Sequence, residues 1–408
     1  MSFIAIINGR LIDPASKKIV EGGLLLKEGR IAACGQIDPS QADNVIDAEG
    51  GYIAPAIIDP TVFSVDLPAF IKGGIGRVAL MPDQSPALDE AALIQRAKAS
   101  GGEAVEVYPL AAGSRGLEGR ELAEIGLMQR AGAKAVATGR QWIADSGLMY
   151  RLLDYAASLG LTVISHAEDG GLTKGCVATE GLMASRLGLR AAPAVAEAIV
   201  VARDLMLAEE TGCKIHFAQL TTKKSFDLIR QAKEKGVKVT VGINPAYLLL
   251  SDRHTEDFRT FARLSPPLRG EDDRLASVEA LRDGVIDMFC SAHDPRDAED
   301  KRLPFIDAKP GMAGAETLLS ASLELVHQGV IDLSRLVELL SVNAAQLLGC
   351  EGGDLSVGDE ADIVIFDIDR EWQLDSAKMA AKAGNSPFDG RMMRGKVTHT
   401  IKGGKVLL

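Results

Sequence analysis

AKAVATGRQWIADSGLMYRLLDYAASLGLTVISHAED, residues 133–169, reads as a strand, a helix and a second strand. Residues 133–138 and 162–166 are short apolar runs, and GLMYRLLDYAASLG between them carries its apolar residues at helical spacing. A helix joining two short buried strands is a crossover unit, and crossovers of this kind build parallel sheets. The unit recurs in both directions along the chain. Candidate strands are 56–63, 77–81, 105–111, 133–138, 162–166, 214–219, 237–243 and 286–291, most followed by a helical pattern such as KKSFDLIRQAKEKG. Eight units over about 300 residues match a (β/α)8 barrel in count and size, whereas a doubly wound sheet rarely needs eight. Only residues 64–76 separate the first two strands, so the first helix is expected to be stunted or missing.

Outside this region the pattern changes. Residues 3–12, 23–33 and 44–53 are β-like and separated by the turn clusters NGR, KEGR and AEGG, and their alternation predicts an antiparallel sheet. The C-terminus repeats the style with ADIVIFDI and GKVTHTIKGGKVLL, where KGGK reads as a hairpin turn. The expected organisation is a composite β-domain from residues 1–54 and 352–408 around a barrel domain of residues 55–351.

The chain of 408 residues is 47% hydrophobic and 25% charged, a balance that excludes a disordered chain or a disulfide-stapled miniprotein. Its formal charge of −11 disfavours a site built on phosphate neutralisation, so nucleic acid is not an expected partner. No apolar run approaches about 18 residues, and MSFIAIINGRLID lacks the features of a secretory leader, so a cytoplasmic protein without membrane association is expected. Five scattered cysteines without a CxxC fit a reducing compartment and exclude zinc-ribbon and thioredoxin chemistry.

Barrel enzymes place their chemistry at the carboxyl ends of the strands. Of six histidines, His254, His327 and His399 fall in a polar stretch, a helical pattern and the terminal β-segment. His166 ends the fifth strand beside Glu168 and Asp169, and His293 ends the eighth beside Asp294. A mononuclear metal site could draw on these, but a catalytic zinc usually takes three protein ligands and one imidazole does not supply them. His216 and Gln219 are three apart on one strand and so face opposite sides, which favours a packing role for His216. The loop GSRGLEG, residues 113–119, could offer backbone N–H groups and Arg115 to an anion. GxSxG, GxGxxG, Walker and HExxH patterns are absent.

The order of motifs resembles the dihydroorotases of the cyclic amidohydrolase superfamily, essentially end to end. PAIIDPTVF is similar to PGLIDxHVH, MPDQSP to MPNTxP, SHAED to DHCED, HFAQLTT to HIxHVST, ARLSPPLR to ARVNPPLR and CSAHDP to ATDHAP. NSPFDGRMMRGKVTHTIKGGKVL resembles the closing NTPxxGxxLxGKVxxTIxxGKxV. The resemblance implies a (β/α)8 barrel of the metal-dependent hydrolase type beside a small β-sandwich built from both termini.

It also implies a dismantled metal site. The first-strand His-x-His pair falls on Thr61 and Phe63, the bridging carboxylate or carboxylated lysine falls near Thr138 and Gly139, the sixth-strand histidine is Gln219, and the eighth-strand aspartate, ligand and general base, is Ala292. His166 is the sole retained ligand, no catalytic residue is intact, and no cofactor is expected. Substrate positions are altered at Asp83, Ser265 and Arg296. Metal-assisted hydrolysis lowers the pKa of water from about 15.7 toward about 7, and a general base adds roughly 10²–10⁴ in rate. The expectation is therefore a catalytically inactive dihydroorotase-like protein of pyrimidine biosynthesis, an oligomer that partners aspartate transcarbamoylase. The alternatives are an active cyclic amidohydrolase with a reduced zinc site drawing on His166, His293, Glu168 or Asp294, and a small-molecule sensor with a reshaped barrel pocket.

Overall fold

The structure is a computed structural model and describes residues 3–14 and 17–408; Met1, Ser2, Ala15 and Ser16, part of the expected 1–54 segment, lie outside the described residues. Eight parallel strands form the barrel: Ile57–Val62, Ile75–Leu80, Glu106–Pro109 continued by Ala111–Ala112, Val136–Ala137, Thr162–Ser165, Lys214–Phe217, Val239–Ile243 and Met288–Phe289. The ring closes where Val62 bridges His293 and Phe63 N donates to His293 O at 2.9 Å. Every residue of Ile57–Val62 and Ile75–Leu80 is buried, as expected for parallel strands covered on both faces.

Small residues at Ala79, Ala135, Ala137 and Ala218 pack inside the ring with Ile58, Met81 and Ile164. The outer core lies between the strands and the helices, with Phe70, Leu152, Phe217 and Phe226 among its members. The helix after the fourth strand, Ser146–Ser158, is started by Asp145, whose side chain accepts from Leu148 N. The first helix is Leu67–Lys72, only six residues, as the short connection predicted. Among the described residues no helix is long and apolar enough to cross a membrane.

The two ends of the chain share one eight-stranded sheet, in the order Lys405–Val406, Met392–Lys402, Ile363–Gln373, Tyr52–Pro55, Phe3–Asp13, Lys18–Lys27 and Arg30–Gly35, with Asn44–Asp47 beside Phe3–Asp13. The KGGK hairpin is present: Gly403 and Gly404 take positive φ, and Lys402 pairs with Lys405. Two expectations need correction. Residues 23–33 belong to two strands, Lys18–Lys27 and Arg30–Gly35, because Glu28 and Gly29 turn the chain at positive φ. Residues 44–53 are likewise split at Glu49–Gly50, and both resulting strands run parallel to Phe3–Asp13, so the sheet is mixed. The ends of the run meet where Gly29 approaches Gly403 and Gly404; a Cβ on Gly29 would lie 2.9 Å from Gly403 O. The sandwich closes over Ile6, Leu24, Ile31, Ile53, Ile363 and Ile401. At its junction with the barrel, buried Arg77 reaches Glu360 at 2.6 Å and Asp362 at 2.9 Å, and Lys402 reaches Asp362 at 2.6 Å.

Candidate functional site

The carboxyl ends of the strands bring Thr61, Phe63, His166, Gln219 and Ala292 into one cavity, with Arg140, Asp294 and Ser265. Its free volume is about 40 Å³, against roughly 300–1,000 Å³ for small-molecule sites. Side chains fill the space a ligand would need. Arg140, in the loop after the fourth strand, lays its guanidinium 3.7 Å from the Phe63 ring centroid and pairs with Asp294 Oδ2 at 2.5 Å. Asp83 fixes the base of that loop by accepting from Arg140 N at 2.8 Å, and Gly139 supplies the positive φ. Arg296 completes the closure: its Nη2 is 2.7 Å from Asp294 Oδ2, its Nε donates to Pro310 O, and its backbone N donates to Asn385 Oδ1.

His166 stands at the fifth strand end, its backbone N donating to Thr138 Oγ1 at 3.1 Å and its Nε2 3.4 Å from Glu168 Oε2. Glu168 in turn meets Arg269 at 3.3 Å, and Arg269 meets Glu197 at 3.4 Å. Glu197 accepts from the backbone N–H and hydroxyl groups of both Thr221 and Thr222. Burial pushes Glu168 up, but the hydrogen bond to His166 and the Arg269 charge outweigh it and hold the carboxyl below its ordinary range. The His166 imidazole thus sits against the end of a buried Glu168–Arg269–Glu197 ion-pair chain.

The other candidates serve packing. His293 points away from the cavity: its Nδ1 accepts from Ala315 N, its Nε2 is 3.3 Å from Asp66 Oδ2, and Phe70 packs edge-on against its ring. It ties the eighth strand to the short first helix. His216 is buried inside the barrel with Nδ1 2.9 Å from Thr240 Oγ1, and burial pushes it down to about 3. The GSRGLEG loop binds itself and its neighbours, Gly119 N donating to Ser114 Oγ and Gly116 N to Asp89, while Arg115 faces Glu121; the anion cradle is not formed. Asp59, beside the cavity, accepts from Ser291 N and Thr61 N, yet burial drives it up to about 6. Ala292 holds a left-handed backbone (φ 48°), a strained conformation for a residue with a Cβ.

Sequence reasoning missed Arg140, Arg269 and Glu197. A Gly-Arg pair directly after a strand end at the barrel mouth was the available signal for Arg140, and the closing arginine of ARLSPPLR was the signal for Arg269; for Glu197 there was none.

The family model of dihydro-orotase-like proteins matches residues 59–225. A protein named dihydroorotase from Pelotomaculum thermopropionicum is 39% identical over 99% of this chain and 98% of its own length. Another of that name from Trichlorobacter lovleyi is 37% identical over 99% of both. This chain belongs to the dihydroorotase family. Among solved structures, L-hydantoinase (dihydropyrimidinase) from Arthrobacter aurescens superposes with a TM-score of 0.89 at 27% identity, covering 100% of this chain and 96% of that one. The shared architecture is the amidohydrolase barrel with its β-sandwich.

The family's zinc chemistry does not fit the side chains gathered here. A phenyl ring and a methyl group offer no lone pair at 63 and 292, and neutral threonine and glutamine side chains stand at 61 and 219. Among the described residues no three His, Cys, Asp or Glu side chains converge in a way that would hold a metal ion. Positive charge stands in this mouth as the Arg140 and Arg296 guanidinium groups, both on Asp294.

Proposed function

We propose that this chain is a dihydroorotase-like protein of pyrimidine biosynthesis that no longer hydrolyses a cyclic amide and acts as a structural partner of aspartate transcarbamoylase in the cytoplasm. One observation carries the reading: the space where substrate and metal would sit is occupied by the Phe63–Arg140–Asp294 stack. The loss is coherent. Thr61, Phe63, Gln219 and Ala292 supply neither a charged ligand nor a base, and Asp294 is neutralised by two arginines. Division into a terminal domain, 1–54 with 352–408, and a barrel domain, 55–351, belongs to the same reading: the barrel is the inherited body and the oligomeric assembly the retained role.

The test is threefold on one purified sample: metal content by plasma mass spectrometry, dihydroorotate turnover, and co-purification with aspartate transcarbamoylase. Substoichiometric metal, no turnover and a stable complex are expected. A second reading, an active cyclic amidohydrolase with a reduced zinc site, is favoured by the name its full-length relatives carry. It requires turnover that His166→Ala abolishes, and that result would replace the first reading.

A further inference from the structure

Helix Val195–Thr211, between the fifth and sixth barrel strands, buries Val200, Val201, Leu205 and Ala208 on the side facing the barrel. The outward side of such a helix is ordinarily polar. Here its line, Ile199, Ala202 and Met206, is apolar, with Ile199 44% and Met206 68% exposed. Arg203, the cation beside that line, is folded back onto Asp204 and the Ile143 carbonyl and does not cover it. Tyr150, on the neighbouring helix Ser146–Ser158, is 40% exposed and widens the apolar face.

The charges at the two ends are placed against the helix dipoles. The C-terminal turn carries Glu209 and Glu210, both exposed, and holds no basic residue, although a helix C-terminus repels anions. At the other end the N-terminus lies beside that of helix Lys223–Glu234, since Glu197 accepts from Thr221 N and Thr222 N. That first turn carries exposed Lys223 and Lys224 and no acid, and among the described residues no carboxylate meets either ammonium group.

A second copy laid antiparallel on this face answers both features. Ile199, Ala202 and Met206 read large, small, large in either direction, so a two-fold axis at Ala202 sets Ile199 of each copy against Met206 of the other. The same rotation carries Glu209 and Glu210 of each copy toward Lys223 and Lys224 of the other. The size also fits. The helix has 17 residues, about 25 Å, and with a flanking helix on either side at roughly 10 Å spacing the face covers about 750 Å², against roughly 800 Å² per partner in a stable interface. We infer that this chain forms a two-fold dimer through the outward face of helix Val195–Thr211, with Glu209 and Glu210 docked on Lys223 and Lys224. The inference deepens the oligomeric part of the proposed function and rests on that part alone; it needs neither an emptied metal site nor aspartate transcarbamoylase.

Sedimentation equilibrium of the purified full chain, alone in solution, tests it. The parent should weigh as a dimer, or an even multiple of one, at about 10 μM. Met206→Glu, at an exposed position that does not endanger folding, should weaken the dimer about thirtyfold or more. Two charge reversals go further: Glu209→Lys with Glu210→Lys, and Lys223→Glu with Lys224→Glu. Each should halve the parent mass on its own, and an equimolar mixture of the two should regain it, because mixing restores opposite charges at both ends. A parent that stays monomeric at about 100 μM, or a dimer that no variant weakens, overturns the interface. Variants that dissociate but do not reassociate on mixing overturn the antiparallel arrangement. Circular dichroism of each variant separates dissociation from unfolding. Co-purification with aspartate transcarbamoylase keeps the two proposals apart: a stable complex built on a monomeric parent would keep the proposed function and sink the dimer, and a dimer without that complex would do the reverse.

Discussion

The Arg140 guanidinium lies 3.7 Å from the centroid of the Phe63 ring and, at its other edge, pairs with Asp294. One side chain therefore closes the barrel mouth from two directions. Arg140→Ala should lower the unfolding free energy by about 1–3 kcal/mol, the sum of a partly desolvated cation–π contact and a partly exposed ion pair. The loss stays modest because Arg296 continues to neutralise Asp294. Denaturant titration measures it, and dihydroorotate turnover should remain undetectable in the opened variant.

Restoring ligands without clearing the mouth should fail. The variant combining Thr61→His, Phe63→His, Gln219→His and Ala292→Asp is expected to retain well under one equivalent of zinc after dialysis, since a fixed guanidinium repels and excludes a second cation. Adding Arg140→Ala should raise the content toward one equivalent. A full equivalent with Arg140 in place would show that the guanidinium moves aside readily.

Two buried groups give the acid limb opposing slopes. Asp59 is raised from 3.8 to about 6, so between those values the folded state holds the extra proton and stability falls as pH rises. His216 is lowered from 6.5 to about 3, so across that window the unfolded state holds the extra proton and stability rises with pH. Asp59→Asn should therefore gain about 1–3 kcal/mol over the parent at pH 7 and lose that advantage near pH 4. His216→Gln should flatten the rise between pH 4 and 6. Parallel pH–stability curves for parent and variants would contradict both assignments.

The junction of barrel and sandwich rests on Arg77, which is 3% exposed and reaches Glu360 and Asp362. Arg77→Ala leaves buried Asp362 with Lys402 and the Gly403 N–H, and should cost about 1.5–3 kcal/mol, the range of charge-assisted hydrogen bonds. Limited proteolysis should then cut between residues 350 and 362 before it cuts any barrel strand.

The barrel was legible because the strand–helix unit repeats, and the strand ends were legible because barrel chemistry is confined to them. What was hidden has physical reasons. Arg140 meets Asp294 across 154 residues, and nothing local to a Gly-Arg pair announces such a partner. Glu197 reads as an ordinary helix carboxylate; only tertiary packing places Arg269 and two threonines around it. His293 had the expected strand-end position, but its side chain turns toward Asp66. Strand direction at the N-terminus was misread because alternation encodes which face is buried and not which way a neighbour runs.

Tyr52–Pro55 finds its antiparallel neighbour in Ile363–Gln373, about three hundred residues further along. During synthesis that strand emerges early and waits, with an open hydrogen-bonding edge, until nearly the whole polypeptide has left the ribosome. Barrel units can pair with their immediate neighbours as they appear, so the sandwich is the last part to be completed. Messages truncated before codon 363 would release chains carrying a near-complete barrel and a bare, apolar strand, and these are the species that quality control must remove.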